Sequence, residues 1–293
     1  MPKHPLAEVF GFPIDNSTPE AERHRTKRLC PYNNKVPNCT KDKAKEPLGV
    51  CSVFEGDDPV ITCPVRFRQN WIIADDAATF FFPPRMLWTS LTEVRLNDKY
   101  GRSAGNIDVV LVAYDDRGHV VDFGALEVQA VYISGNVRRP FEYYMEDPKN
   151  RHGMDWTGQP NYPRPDYLSS SRKRLAPQLI YKGGILNTWG KRLAVAVDRY
   201  FFASLPFLPE ADPGEAEVVW LVYDLVLDPE QNRYNLLRHR AVYSLFTPAL
   251  TSITTTEAGP VAEFVQCLQA KLDEKLETGY PPDAPTLLEV VEG

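Results

Sequence analysis

The chain has 293 residues, of which 43% are hydrophobic and 25% charged, with a mean hydropathy of -0.35; this is an ordinary globular composition, and it excludes disorder and collagen-like repeats. No apolar run approaches the roughly 20 residues needed to cross a bilayer, and the opening MPKHPLAEVF lacks the apolar core of a signal peptide, so a cytoplasmic protein away from membranes is expected. The formal net charge of -6 argues against a nucleic-acid partner only until it is divided: residues 257–293 carry 8 acidic and 2 basic side chains, which leaves the remainder neutral. Residues 21–45 hold 8 basic and 2 acidic side chains, and residues 138–199 hold 12 and 6. Two such surpluses could follow a phosphate backbone, although a solvated surface also explains either one.

In chain order, residues 1–70 come first. They are polar and Pro-interrupted, with little apolar periodicity to build a core. Four of the five cysteines lie here, Cys30, Cys39, Cys51 and Cys63, and a reducing compartment argues against two disulfides. Four thiolates around one tetrahedral ion would instead crosslink a segment too small to fold on apolar burial. Scattered buried thiols are the plain alternative, since the spacing lacks CxxC knuckles. Cys267, within a helical pattern, is expected in the core.

The stretch from Glu93 to Ile133 carries the chemistry. IDVVLVAY (107–114) is a predicted strand, Asp115-Asp116-Arg117-Gly118 a turn, and HVVDFGALEVQAVYI the returning strand. If Tyr114 pairs with His119, Asp108 falls opposite Ala125, with Glu127 and Gln129 following on the same face. Leu126, Val128 and Ala130 then point to the core, and a bulge at Gly124 would shift the register. Two carboxylates on neighbouring strands, helped by the Val128 carbonyl, offer the oxygen ligands that a hard cation such as Mg2+ takes beside a phosphodiester. Gln129 could orient a water but could not supply positive charge. Polar alternation on a half-exposed strand gives the same pattern without any metal.

Residues 134–192 are rich in Arg, Tyr, Ser and Pro, as expected of a loop-rich surface facing DNA. Arg138, Arg139, Arg172, Lys173, Arg174 and Lys182 are the candidates for DNA contact, because paired hydrogen bonds from Arg read guanine while phosphate contacts only position. Residues 217–227 and 236–246 form a second predicted hairpin, covering the sheet. From Pro260, the residues Val261, Phe264, Val265, Leu268, Leu272 and Leu276 share one helical face of the kind that packs in a core.

Several motifs in fixed order resemble the NotI-type restriction endonucleases: Cys30-Pro, Gly49-Val50-Cys51 and Cys63-Pro, Glu93 ahead of Asp108, Leu126-Glu127-Val128-Gln129, and Gly259-Pro260-Val261-Ala262. The resemblance runs from about residue 6 to 276. It implies an α/β fold of the PD-(D/E)xK nuclease class, a mixed sheet flanked by helices, with Gln in place of the usual Lys. It also implies a structural iron, or zinc, on the four cysteines, and a catalytic centre of Asp108, Glu127 and Gln129 with Glu93 nearby. The expected activity is Mg2+-dependent cleavage of both strands of double-stranded DNA at a GC-rich palindrome by a homodimer. The expected division is a cysteine module over 1–70, the nuclease core over 71–277 and an acidic tail over 278–293. A noncatalytic DNA-binding protein with a structural metal is the competing expectation.

Overall fold

The computed structural model describes residues 4–33, 36–41 and 46–278, and the chain divides into two units, Met1–Thr254 and Thr255–Gly293. Most of the tail expected over 278–293 thus lies outside the described residues. In the first unit, β1 (Leu6–Val9) and β2 (Phe12–Pro13) precede α1 (Pro19–Lys27), and β3 (Val50–Glu55) and β4 (Asp58–Ile61) follow. The Thr18 side chain accepts from Ala21 N–H to start α1, with proline at the first helical position, and Arg28 in the left-handed region ends it. The four strands form an antiparallel sheet in the order β2-β1-β3-β4. A 3-10 segment, Pro64–Trp71, then leads into α2 (Ile72–Phe81), which buries Ile73, Ala74, Ala77, Ala78 and Phe81 at helical spacing.

Next come β5 (Trp88–Asn97), β6 (Ser103–Tyr114), β7 (Val120–Gln129), β8 (Tyr132–Ser134), α3 (Arg138–Glu146), α4 (Pro148–Arg151) and β9 (Arg164–Asp166). A run of helical turns follows: α5 (Tyr167–Ser170), α6 (Ala176–Gln178) and α7 (Gly184–Thr188), joined by π-helical turns at Ser171–Leu175 and Leu179–Gly183. The unit closes with β10 (Leu193–Asp198), α8 (Arg199–Ala203), β11 (Val218–Asp228), β12 (Arg233–Ser244) and α9 (Phe246–Thr254).

The principal sheet has the order β12-β11-β10-β7-β6-β5. β10 runs parallel to β7 and β11 and the remaining pairs are antiparallel, so this is the expected mixed sheet. Both faces are covered, which accounts for the near-continuous apolar content of β10 and β11. Val109, Leu111, Leu126, Val128 and Ala196 pack against α2 on one face. Val110, Val112, Ala125, Val195 and Trp220 meet Leu175, Leu179, Leu186 and Phe246 on the other.

Three local expectations change. β11 and β12 form the expected hairpin but extend the sheet at its edge rather than covering it. Residues 134–192 hold short helices where loops are expected, because their polar faces carry loop-like composition. Within the described residues of the second unit itself, nothing covers Cys267 or the apolar stripe of α10 (Val261–Thr278). Among the described residues, no helix is long and apolar enough to cross a membrane.

Candidate active site

The face that packs on residues 175–186 also carries the acidic cluster. β6 and β7 pair Val109 with Leu126 and Val110 with Ala125. Continued by one residue, this register sets Asp108 across from Glu127 rather than Ala125. Asp108 Oδ2 accepts from the Val128 N–H at 2.8 Å, which locks its carboxylate onto the neighbouring strand. Glu127 and Gln129 are 2% and 1% exposed, while Asp108 is half-buried.

Burial pushes the Glu127 carboxyl up to about 8, and the charge of Asp108 adds to the rise against the opposing pull of Lys182. Two carboxylates held this close in an apolar setting are costly unless cations offset them. Oε1 of Glu127 and Oε1 of Gln129 are buried without hydrogen-bond partners, while Gln129 Nε2 donates to the Ala130 carbonyl at 2.7 Å. Oxygen atoms alone, two of them orphaned, fit a hard divalent cation. Among the described residues, however, no group of three or more His, Cys, Asp or Glu side chains is gathered to hold a metal.

Glu93 lies on β5 between Thr92, paired with Val109, and Val94, paired with Ile107, so it stands across from Asp108 on the other side of β6. Its φ of 58° is left-handed, a conformation worth about 1–3 kcal/mol of strain for a non-glycine residue. Glu93 and Asp108 line one cavity of about 1050 Å³ together with Arg66, Arg68, Tyr132 and Arg174.

Cys30, Cys39, Cys51 and Cys63 line the same cavity. Cys30 and Cys39 each follow one partner of an isolated bridge between Leu29 and Asn38, Cys51 lies on β3, and Cys63 comes two residues after the end of β4. Burial raises the Cys51 thiol well above its ordinary value, and Cys63, Glu8, Cys30 and Cys39 raise it further. Cys30 is pushed up to about 11, first by burial and then also by Cys63 and Cys39. The thiols converge, as a soft donor set would, without being drawn into a ligand shell.

Of the basic candidates, Arg139, Arg172, Lys173 and Arg174 are exposed and Arg138 is half-buried. Arg174 donates from Nε to the Tyr132 hydroxyl at 2.9 Å and lies over that ring, which holds it at the cavity. Arg139 lies over Trp156. Lys182 departs from the expected surface position: it is 5% exposed, and its Nζ donates to Glu127 Oε2 at 2.5 Å and to the Asn106 carbonyl at 2.9 Å. The signal was present in the sequence, because Leu175, Leu179, Lys182 and Leu186 share one helical face and Lys182 is its sole polar member.

A mixed sheet that pairs carboxylates on neighbouring strands, with Asp108 lining a cavity edged with arginine and Glu127 held by a buried lysine, suits a nuclease. The family model described as restriction endonuclease NotI matches residues 8–236, and the chain belongs to that family. It is accordingly a site-specific deoxyribonuclease, a type II restriction enzyme acting on double-stranded DNA. The match ends before Gly259-Pro260-Val261-Ala262. No curated protein matches the chain.

Proposed function

We propose that the protein is a Mg2+-dependent, homodimeric endonuclease that hydrolyses both strands of a GC-rich palindrome, with Asp108 and Glu127 as the cation ligands. The observation that carries this reading is the buried, unpartnered Oε1 of Glu127 beside Asp108. A cation bound there would lower the pKa of a water and offset the charge that builds on the phosphate. Gln129, its amide hydrogen-bonded to Ala130, presents a free oxygen that can accept a hydrogen bond from the attacking water. Glu93 adds a further carboxylate at the cavity.

Arg174 on Tyr132, with Arg172 and Lys173 on the same helical turn, would grip the phosphate backbone, and Arg138 and Arg139 open the next basic surface. Arginine-rich contacts favour guanine, and a palindromic target calls for a two-fold dimer. Residues 1–70 serve as a metal-stabilised module, with iron or zinc on Cys30, Cys39, Cys51 and Cys63, and residues 71–277 as the nuclease core.

Plasmid or phage DNA incubated with the protein and Mg2+ is expected to give discrete fragments. Asp108→Ala and Glu127→Ala should abolish them while gel shifts persist, since removing a cation ligand costs at least about a hundredfold. Gel shifts without fragments from the wild-type protein would instead establish a DNA-binding protein that does not cut.

A further inference from the structure

β7 has the neutral Gln129 two residues beyond Glu127, so the strand itself brings no positive charge to the carboxylates. The charge comes from elsewhere. Lys182, on the π-helical turn Leu179–Gly183, sits in the apolar stripe of that helical run and reaches across to β6 and β7. It passes beside Gly105, where an added Cβ would make only ordinary van der Waals contact, 3.7 Å from Lys182 Cδ. The ammonium takes one oxygen of Glu127, Oε2, and the Asn106 carbonyl two residues before Asp108, so it is tied to both acidic strands at once. The other oxygen of Glu127, Oε1, is buried without a donor from the protein, and the neighbouring Asp108 carboxyl approaches the Glu127 carboxyl closely.

We propose that Lys182 is a positioning residue of the cleavage centre: it holds Glu127 by Oε2 and thereby leaves only Oε1 to a divalent cation. This rests on the cation-dependent nuclease reading above. A merely structural Lys–Glu pair would affect stability alone, and a phosphate contact would affect DNA affinity. A positioning role has a different signature. Without the ammonium, both oxygens of Glu127 are free and a repelling charge is gone, so a cation binds more tightly, while the carboxylate loses the orientation that cleavage needs.

The test uses Lys182→Met and Lys182→Arg in the full chain. Ca2+ binding is measured by calorimetry on DNA-free protein, cleavage by single-turnover assay in Mg2+, and plasmid affinity by gel shift in Ca2+. For Lys182→Met, we expect Ca2+ affinity to rise about tenfold and cleavage to slow about a hundredfold, with plasmid affinity close to wild type. Lys182→Arg, which keeps the charge, should return towards wild type on both measures.

Unchanged or weaker Ca2+ binding, or cleavage at the wild-type rate, overturns the proposal, as does a loss of cleavage that tracks a loss of plasmid affinity. Should Lys182→Met fail to fold, Lys182→Gln takes the same measurements: its neutral amide removes the repelling charge, so Ca2+ affinity should still rise, while its remaining donor to Oε2 should keep cleavage closer to the wild-type rate. Failure of both to fold assigns the lysine to structure alone and overturns the proposal. A wild-type protein that neither cuts nor binds Ca2+ defeats the nuclease reading itself, whereas a cutting wild type beside an unaffected Lys182→Met defeats this inference only.

Discussion

Arg66 has no solvent exposure, and its guanidinium is satisfied on every side. Nε donates to both oxygens of Glu8 at 3.0 Å, Nη1 to Gln69 Oε1 at 2.7 Å and Nη2 to the Tyr234 carbonyl at 2.8 Å, while the plane lies over the Tyr32 ring. Ser52 donates to Glu8 as well. One residue thus ties β1 and β3 to β12 of the principal sheet. Removing one partner strands a buried charge, so Glu8→Ala should cost about 3–5 kcal/mol in urea unfolding. A cost below about 1 kcal/mol would show that the network is slack.

Asp198 makes a second buried acidic junction. It accepts from Ile61 N–H at 3.1 Å and from Tyr200 and Phe201 N–H at the start of α8. Burial nevertheless pushes its carboxyl up to about 7, with Asp224 adding to the rise and the three N–H donors opposing it. A raised folded-state pKa means that the native state prefers the protonated form. The stability this brings is full below the unfolded value of 3.8 and is lost as pH rises through about 7. Melting temperature should therefore fall across that window in the wild type and stay level in Asp198→Asn, whose lost bond to Ile61 costs about 1 kcal/mol at the acid end. Neither junction could be read from sequence, because Glu8 and Arg66 lie 58 residues apart and Ile61 and Asp198 137 apart, and only tertiary closure makes them neighbours.

Among the elements, the β6–β7 hairpin shows how far alternation carries a sequence reading and where it stops. The strands and turn were legible in IDVVLVAY, the Asp-Asp-Arg-Gly turn and GALEVQ, and so was the shared face of Asp108, Glu127 and Gln129. The register was not. Tyr114 pairs with Val120 instead of His119, and Val121 is left over as a bulge before Ala113 pairs with Asp122. Each change displaces the strand by one residue, and either alone would have turned Glu127 to the opposite face. Together they preserve the face and bring Glu127, not Ala125, across from Asp108. The bulge lies away from Gly124, whose role is close approach: a Cβ there would lie 2.4 Å from the Phe81 ring of α2. Gly124→Ala should therefore destabilise by about 1–3 kcal/mol. Adding Phe81→Leu should recover part of that cost in a thermal double-mutant cycle, whereas strictly additive losses would mean that the two residues are not in contact in solution.

For the molecule as a whole, the feature that sequence could not supply is shared space. Cys30, Cys39, Cys51 and Cys63 looked like a module apart, a crosslink for a segment short of core; in the fold they line the same cavity as Glu93, Asp108 and Arg174. A metal bound by the thiols would brace one wall of the cavity that Glu93 and Asp108 line, so its loss should be felt both in stability and in cleavage. Purified protein is expected to carry about one iron or zinc per chain, the stoichiometry of a four-thiolate site. Cys51→Ser should lower the metal content and the melting temperature together, because structural metal binding contributes directly to folding free energy. Cleavage should fall in the same variant, although Cys51 donates nothing to the acidic strands, because the cavity wall it helps to build is shared. Protein that arrives free of iron and zinc, yet melts and cuts as Cys51→Ser does, would leave the four residues as ordinary thiols with no part in bracing the site.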